Sequence, residues 1–231
     1  MTPDALPADR NTEVAGPGKP PAFDPRPVEL ADPDLVPGVL LVPLSVLHVD
    51  ALAEVLAGDE TAWEHLPVPF PSDRDGIAAW VSDLLDRAAA GTWVPFTVLA
   101  ADRPGTGQQR PVGVSCYLDI DRRERTVEIG GTIYARAWWA GRVNPSCKFL
   151  LLRHAFEQLG AQRVSLKTDI RNTRSQNAMA RFGAVREGVL RSTLTRRDGT
   201  RRDTVYYSVL PAEWPEVRAG LLARLGGGTA A

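Results

Sequence analysis

Between Thr126 and Arg191 the hydrophobic pattern alternates between a period of two and a helical period, and that alternation limits the folds open to the chain. Val127, Ile129, Gly131 and Ile133 alternate with Glu128, Gly130, Thr132 and Tyr134, which predicts a strand over Thr126–Ala135 with Glu128, Gly130 and Tyr134 on one face. Gly130-Gly131 inside it predicts a bulge or a close approach by another backbone. A helix is expected from Pro145 to Leu159, with Asn144 as N-cap and Pro145 as its first residue. Arg163–Ile170 reads as a strand, and Asn172–Phe182 as an Asn-capped helix closed by Gly183. A strand–helix–strand unit crosses over right-handed, so the strands at Thr126 and Arg163 should be parallel.

Around this unit the chain reads as a strand at Val39–Pro43, helices at Val46–Leu56 and Arg74–Ala90, and strands at Val94–Ala100 and Pro111–Asp119. A hairpin of Val185–Thr195 and Thr204–Leu210 turns through Asp198-Gly199, and an amphipathic helix closes the fold from Glu213 to Leu225. A meander followed by alternation implies a mixed α/β fold, one mixed sheet with helices on both faces. Residues 1–37 hold nine of the 19 prolines and read as an arm, flexible or wrapped on the domain. Residues 38–225 form one domain, and the Gly/Ala tail at 226–231 frays.

The bulk numbers exclude more than they assign. A formal net charge of −1 gives no global field toward nucleic acid or membrane, and neither is expected as a partner. From Gly160 to Arg202 there are eleven Lys and Arg against three Asp and Glu, a block that suits an anionic ligand or a solvated face. Cys116 and Cys147 make no metal spacing and read as buried free thiols, as in a reducing cytoplasm; no metal is expected. No signal peptide or membrane-spanning run is read in the sequence.

Two junctions carry chemistry. The turn ARAWWAGRVNPS leads into a helix start, whose free N–H groups suit a phosphate; Gly141 allows close approach and Arg142 adds charge. At Asp169-Ile170-Arg171-Asn172, the asparagine caps the next helix and faces the ligand edge of the sheet, with Ser175 on the first turn. Taken alone, each junction reads as ordinary helix capping.

Three segments in order, VEIGGTIYA, VNPSCKFLLLRHAFEQLGAQRVSLKTDIRNTRSQNAMARFGAVREGVLR and DGTRRDTVYYSVLPAEWP, resemble the GNAT superfamily of acyl-CoA N-acyltransferases, in its RimJ/RimL-like branch. The resemblance covers about Val39 to Leu225. It implies a sheet splayed in a V between Thr126–Ala135 and Arg163–Ile170, with acetyl-CoA as co-substrate. The pantetheine would pair with backbone at Ile133, Tyr134 and Ala135. Gly141, Arg142, Val143, Asn144 and Ser146 would receive the pyrophosphate, with Asn172 and Ser175 on the opposite wall.

The chain departs from the family twice. Trp139-Ala140-Gly141-Arg142-Val143-Asn144 has one glycine, out of register with the family's Gln/Arg-x-x-Gly-x-Gly/Ala pyrophosphate loop, and Met179 stands where many members carry a tyrosine acid. Ser175 would then protonate the leaving thiolate, and Glu128 would be the base, directly or through water; a cross-strand salt bridge is the other reading of Glu128. The acceptor, an amine-bearing small molecule or a protein amine, would lie against Trp63, Phe70 and Trp138. A mid-helix His154 reads as structural. The enzyme would work as a monomer or homodimer; the alternative is a catalytically impaired CoA-binding or protein-interaction module on the same fold.

Overall fold

The computed structural model describes residues 23–101 and 108–226. Eight strands form a single mixed sheet in the order β1-β2-β3-β4-β5-β6-β8-β7. They are β1 (Leu30–Ala31), β2 (Val39–Pro43), β3 (Val94–Ala100), β4 (Arg110–Asp121), β5 (Thr126–Tyr134), β6 (Arg163–Asp169), β7 (Val185–Thr195) and β8 (Arg201–Val209). β5 and β6 are parallel, as the crossover requires; the other neighbours are antiparallel.

Helices cover both faces. On one, α1 (Val49–Leu56), α2 (Glu60–Trp63) and α3 (Arg74–Ala89) bury Leu52, Leu56, Ile77 and Val81 against Val114, Leu118 and Ile133. On the other, α4 (Val143–Arg153) and α6 (Trp214–Gly226) bury Phe149, Leu151, Val217 and Leu221 against Val127, Ile129, Val164 and Val205. α5 (Thr173–Arg181) adds Met179 to this second core. Each fully buried Leu or Phe contributes roughly 1.5–3 kcal/mol of transfer free energy. Residues 23–37 of the proline-rich segment lie on the domain: Phe23, Leu30 and Val36 are buried, and β1 pairs with β2. The rest of that segment, 1–22, and the tail 227–231 lie outside the described residues.

Some boundaries differ from the sequence reading. A 3-10 turn at Val46–His48 precedes α1, and α2 forms inside the link expected to be irregular. β8 begins at Arg201 rather than Thr204. α4 begins at Val143, so Asn144 is helical and not the cap; Arg142 holds the N-cap position without a side-chain hydrogen bond. Ala140 takes φ +58 and turns the chain into that earlier start. Pro145 fits the first turn because its missing N–H would have no helical acceptor there. α4 also stops short of Leu159: the segment His154–Gln158 widens into a π turn, with Leu159 N–H donating to His154 O at 3.0 Å. The buried Tyr117 hydroxyl donates to the Leu151 carbonyl at 2.5 Å, competing with the helical ladder where it widens. His154 lies 3.2 Å from the same hydroxyl and is structural.

The glycine pair does produce a bulge. Gly131 and Thr132 together oppose Ser115, between the pairs Gly130↔Cys116 and Ile133↔Val114. Gly131 sits at φ +57, which a residue with a side chain adopts only under strain. The extra residue shifts the alternation. Tyr134 therefore faces the α4 side with Val127 and Ile129, and does not share a face with Glu128 as strict alternation predicts.

Candidate active site

β5 and β6 pair only at Thr126↔Arg163, Val127↔Val164 and Glu128↔Ser165. Beyond that, β5 stays with β4 as far as Gly113↔Tyr134, and β6 stays with β8 as far as Asp169↔Thr204. The outer halves of the two strands separate into a wedge in which β5 and β6 no longer pair with each other. The bulge at Gly131 contributes by bending β5. An extended ligand can pair with the edge of a parted strand as an added strand.

α4 starts at the end of the β5 wall. Here Arg142 Nε and Ser146 Oγ are buried without a hydrogen-bond partner, and the buried Tyr134 hydroxyl has only the thiol of Cys147 beside it. Buried polar atoms are normally satisfied, so a group of orphaned ones marks a place for a polar ligand. The first N–H groups of α4 have no helical acceptor either. A phosphate meets the needs of both, and the one-glycine loop therefore still fits an acyl-CoA pyrophosphate. Gly141 is exposed and Asn144 half-buried at the same turn.

α5 starts at the end of the β6 wall. Asn172 Oδ1 accepts from Ser175 N–H at 3.0 Å, the expected cap, and leaves the Ser175 hydroxyl half-buried on the first turn. Met179 points into the core at 4% exposure and presents nothing to the wedge.

Glu128 stands where the strands part, 3% exposed, with Oε2 2.9 Å from Lys167 Nζ. Lys167 also holds Asp119 at 3.0 Å. Burial pushes the Glu128 carboxyl up and Lys167 pulls it partly back, leaving it at about 7. Gly130 makes room for it: a Cβ there would lie 2.7 Å from Glu128 Oε1. The cross-strand salt bridge is thus present, and the same carboxyl is poised to exchange a proton near neutrality.

On the face opposite α4, Asp169 is 1% exposed and bound in fork geometry by Arg196, at 2.6 and 2.8 Å. Buried Arg202 donates to the His65 carbonyl at 3.2 Å and so ties the α2–α3 link to β8. A cavity of about 180 Å³ opens beside α5, lined by Glu64, His65, Trp139, Asn172 and Arg174 among others. The Arg174 guanidinium stacks on the Trp139 ring at 3.1 Å, and Trp139 Nε1 donates to Tyr134 O at 2.9 Å.

The aromatic residues expected around the acceptor do not line this cavity. Trp63 is fully buried, donating to Leu56 O at 2.8 Å and packed edge-on to Trp80 at 4.8 Å. Phe70 and Trp138 are half-buried against the core, under Arg197 and Arg110 respectively. Trp139, His65 and Arg174 line the cavity instead. In sequence nothing distinguishes Trp139 from Trp138, and a 3-10 turn at Arg136–Trp138 decides which ring faces in. Much of the basic block is internally paired: Arg163 with Glu187, Lys167 with Glu128, Arg171 with Asp198 and Arg196 with Asp169. Both cysteines are free and buried. Among the described residues no cluster of His, Cys, Asp or Glu could hold a metal ion, and no helix is long and apolar enough to cross a membrane.

Comparison with known proteins agrees with this geometry. Residues 39–185 match the acetyltransferase (GNAT) domain family. A crystal structure assigned as an acetyltransferase is 36% identical, with TM-score 0.73 over 83% of this chain and 93% of its own. Another, from T. thermophilus, is 34% identical, with TM-score 0.74 over 86% and 97%. Mycobacterium smegmatis RimJ, solved with CoA-disulfide, shares the fold at 21% identity, with TM-score 0.70 over 90% and 98%. No curated protein matches the chain. The parted strands, the orphaned donors at α4 and the match over residues 39–185 lead to one conclusion: the chain belongs to the GNAT family of acetyltransferases.

Proposed function

We propose that the protein is an acetyl-CoA-dependent N-acetyltransferase of the RimJ/RimL-like branch, moving an acetyl group to a primary amine within a ternary complex. The observation that carries this is the wedge beyond Glu128↔Ser165, with unpartnered Arg142 Nε and Ser146 Oγ at the helix start beside it. Backbone of Ile133, Tyr134 and Ala135 would offer the pairing edge, although Ala135 N–H already donates to Val112 O and Tyr134 O already accepts from Trp139 Nε1; Asn172 and Ser175 form the other wall.

The acceptor nitrogen attacks the thioester carbon, a C–N bond forms and the carbonyl oxygen takes the negative charge. Glu128 receives the amine proton, directly or through water. When the C–S bond breaks, sulfur leaves as thiolate and takes the Ser175 proton; the hydroxyl regains a proton from water as Glu128 releases the amine proton to solvent. Holding both reactants in the wedge contributes independently of acid–base help. The acceptor is an amine-bearing small molecule or a protein amine; nucleic acid and membrane have no part in this reading. The protein acts as a monomer or homodimer, and its buried free thiols suit the cytoplasm.

Titration calorimetry tests the proposal: acetyl-CoA should bind saturably, and folded protein that shows no such binding sinks it. Ser175→Ala should lower kcat by about tenfold or more while changing acetyl-CoA affinity little. Equal kcat in mutant and wild type removes Ser175 from the role of acid.

A further inference from the structure

Lys148 takes no part in the chemistry above, yet it is buried beside the site. It lies on α4 at 6% exposure, and its Nζ donates to Thr132 Oγ1 at 3.2 Å. That hydroxyl is itself 2.8 Å from Ser115 Oγ. An ammonium has three protons to donate, and this one meets a neutral hydroxyl with no carboxylate in an ion pair among the described residues. The titratable groups facing it are the Cys147 thiol on its own helix, the Cys116 thiol on β4 and, farther off, the Glu128 carboxyl on β5. Burial draws Lys148 below the ordinary lysine range.

A buried cation without a counter-charge is costly, and a methionine would fill the same volume without that cost. Its place suggests the use. Thr132 follows the Gly131 bulge, on the half of β5 that has left β6. Lys148 therefore sits behind the wedge edge, on the side of the sheet that carries the Tyr134 hydroxyl and the unpartnered Ser146 hydroxyl. Opposite charge acts strongly across a few ångströms of water-free protein.

We propose that Lys148 is an electrostatic positioning residue, held by Thr132 behind β5 so that negative charge is favoured in the wedge. That charge appears on the carbonyl oxygen as the C–N bond forms and on the CoA sulfur as the C–S bond breaks. The proposal rests on reading the wedge as an acyl-CoA site.

Lys148→Met is the test, and part of it needs no acceptor. The thiol of bound CoA should titrate about one pH unit higher in the variant than in wild type, followed by thiolate absorbance after subtracting protein alone. Acetyl-CoA affinity should stay within about threefold, and kcat at saturating acetyl-CoA should fall about tenfold or more with an amine that wild type turns over. The free variant should melt at the same temperature or higher, because a buried unpaired charge has gone. Thr132→Val, which removes only the anchoring hydroxyl, should shift the titration in the same direction by less, and it serves if the Met variant fails to fold. An unshifted thiol titration, or an unchanged kcat, overturns the role of Lys148. Wild type that binds no acetyl-CoA overturns the parent reading instead, and that result is seen before any variant is made.

Discussion

Replacing Glu128 with Gln should lower kcat/KM for the amine by about 100-fold, the typical contribution of a positioned base. The variant keeps the size of the side chain and its place over Gly130. It removes the proposed acceptor of the amine proton and leaves Lys167 paired to Asp119. The pH profile gives the sharper readout. With the carboxyl at about 7, wild-type kcat/KM should rise as pH climbs through neutrality, because only the ionised form accepts a proton. That acid limb should vanish in Glu128→Gln. An unaltered profile would assign the limb to another group and return Glu128 to a cross-strand salt bridge.

The same carboxyl links pH to stability. Its pKa in the fold, about 7, lies above the ordinary 4.5, so the folded protein holds this proton more tightly than the unfolded chain. The resulting stability is fully present below 4.5 and lost as pH rises through 7. The loss is on the order of 3 kcal/mol at most. Glu128→Gln should therefore melt at or above wild type at pH 8 while being far less active. A site residue whose removal stabilises the protein is one kept for chemistry.

How much of this was legible in the sequence depends on the scale of the interaction. The strand–helix–strand unit was readable because Val127, Ile129, Val164 and Leu166 bury on a strict period, and periodicity is local. The Asn172 cap was readable for the same reason: its partner, Ser175 N–H, is three residues away. The bulge was foreseen from Gly130-Gly131, but its consequence was not, because one inserted residue turned Tyr134 to the other face. Trp63 looked like a cleft aromatic in a proline-rich link. A short helix at Glu60–Trp63 carried it inward, and its indole N–H found Leu56 O. Lys148, Lys167 and Arg202 gave no local signal. Each acquires meaning only from partners on other elements, Thr132, Glu128 and the His65 carbonyl, which the topology brings together.

Asp169→Ala should be the most destabilising change at the site. Asp169 closes β6 and ties together parts that are far apart in sequence. Its carboxylate accepts both arms of Arg196 and, through Oδ1, the Arg171 N–H at 2.9 Å; its carbonyl accepts Asn172 N–H at 2.9 Å. Removing it leaves Arg196 and the buried Arg202 without the anion whose charge favours both. Breaking a buried pair costs about 3–5 kcal/mol. Arg196 keeps some contact with water, so about 2–3 kcal/mol is the better expectation. In a domain of this size that lowers Tm by roughly 5–10 °C. Burial alone would raise this carboxyl, but Arg196 and the Arg171 N–H more than offset it and hold it below 3.8. Its contribution is therefore complete above that pH and is lost as pH falls further. Asp169→Asn separates the two jobs of the side chain: it keeps an oxygen for Arg171 N–H and removes the charge. If the ion pair dominates, both variants should melt at similar temperatures. If the corner that aims Asn172 and Ser175 dominates, the Asn variant should keep acetyl-CoA affinity and the Ala variant should lose about tenfold or more. Wild-type melting in Asp169→Ala would show that neither contact holds the β6–α5 junction in place.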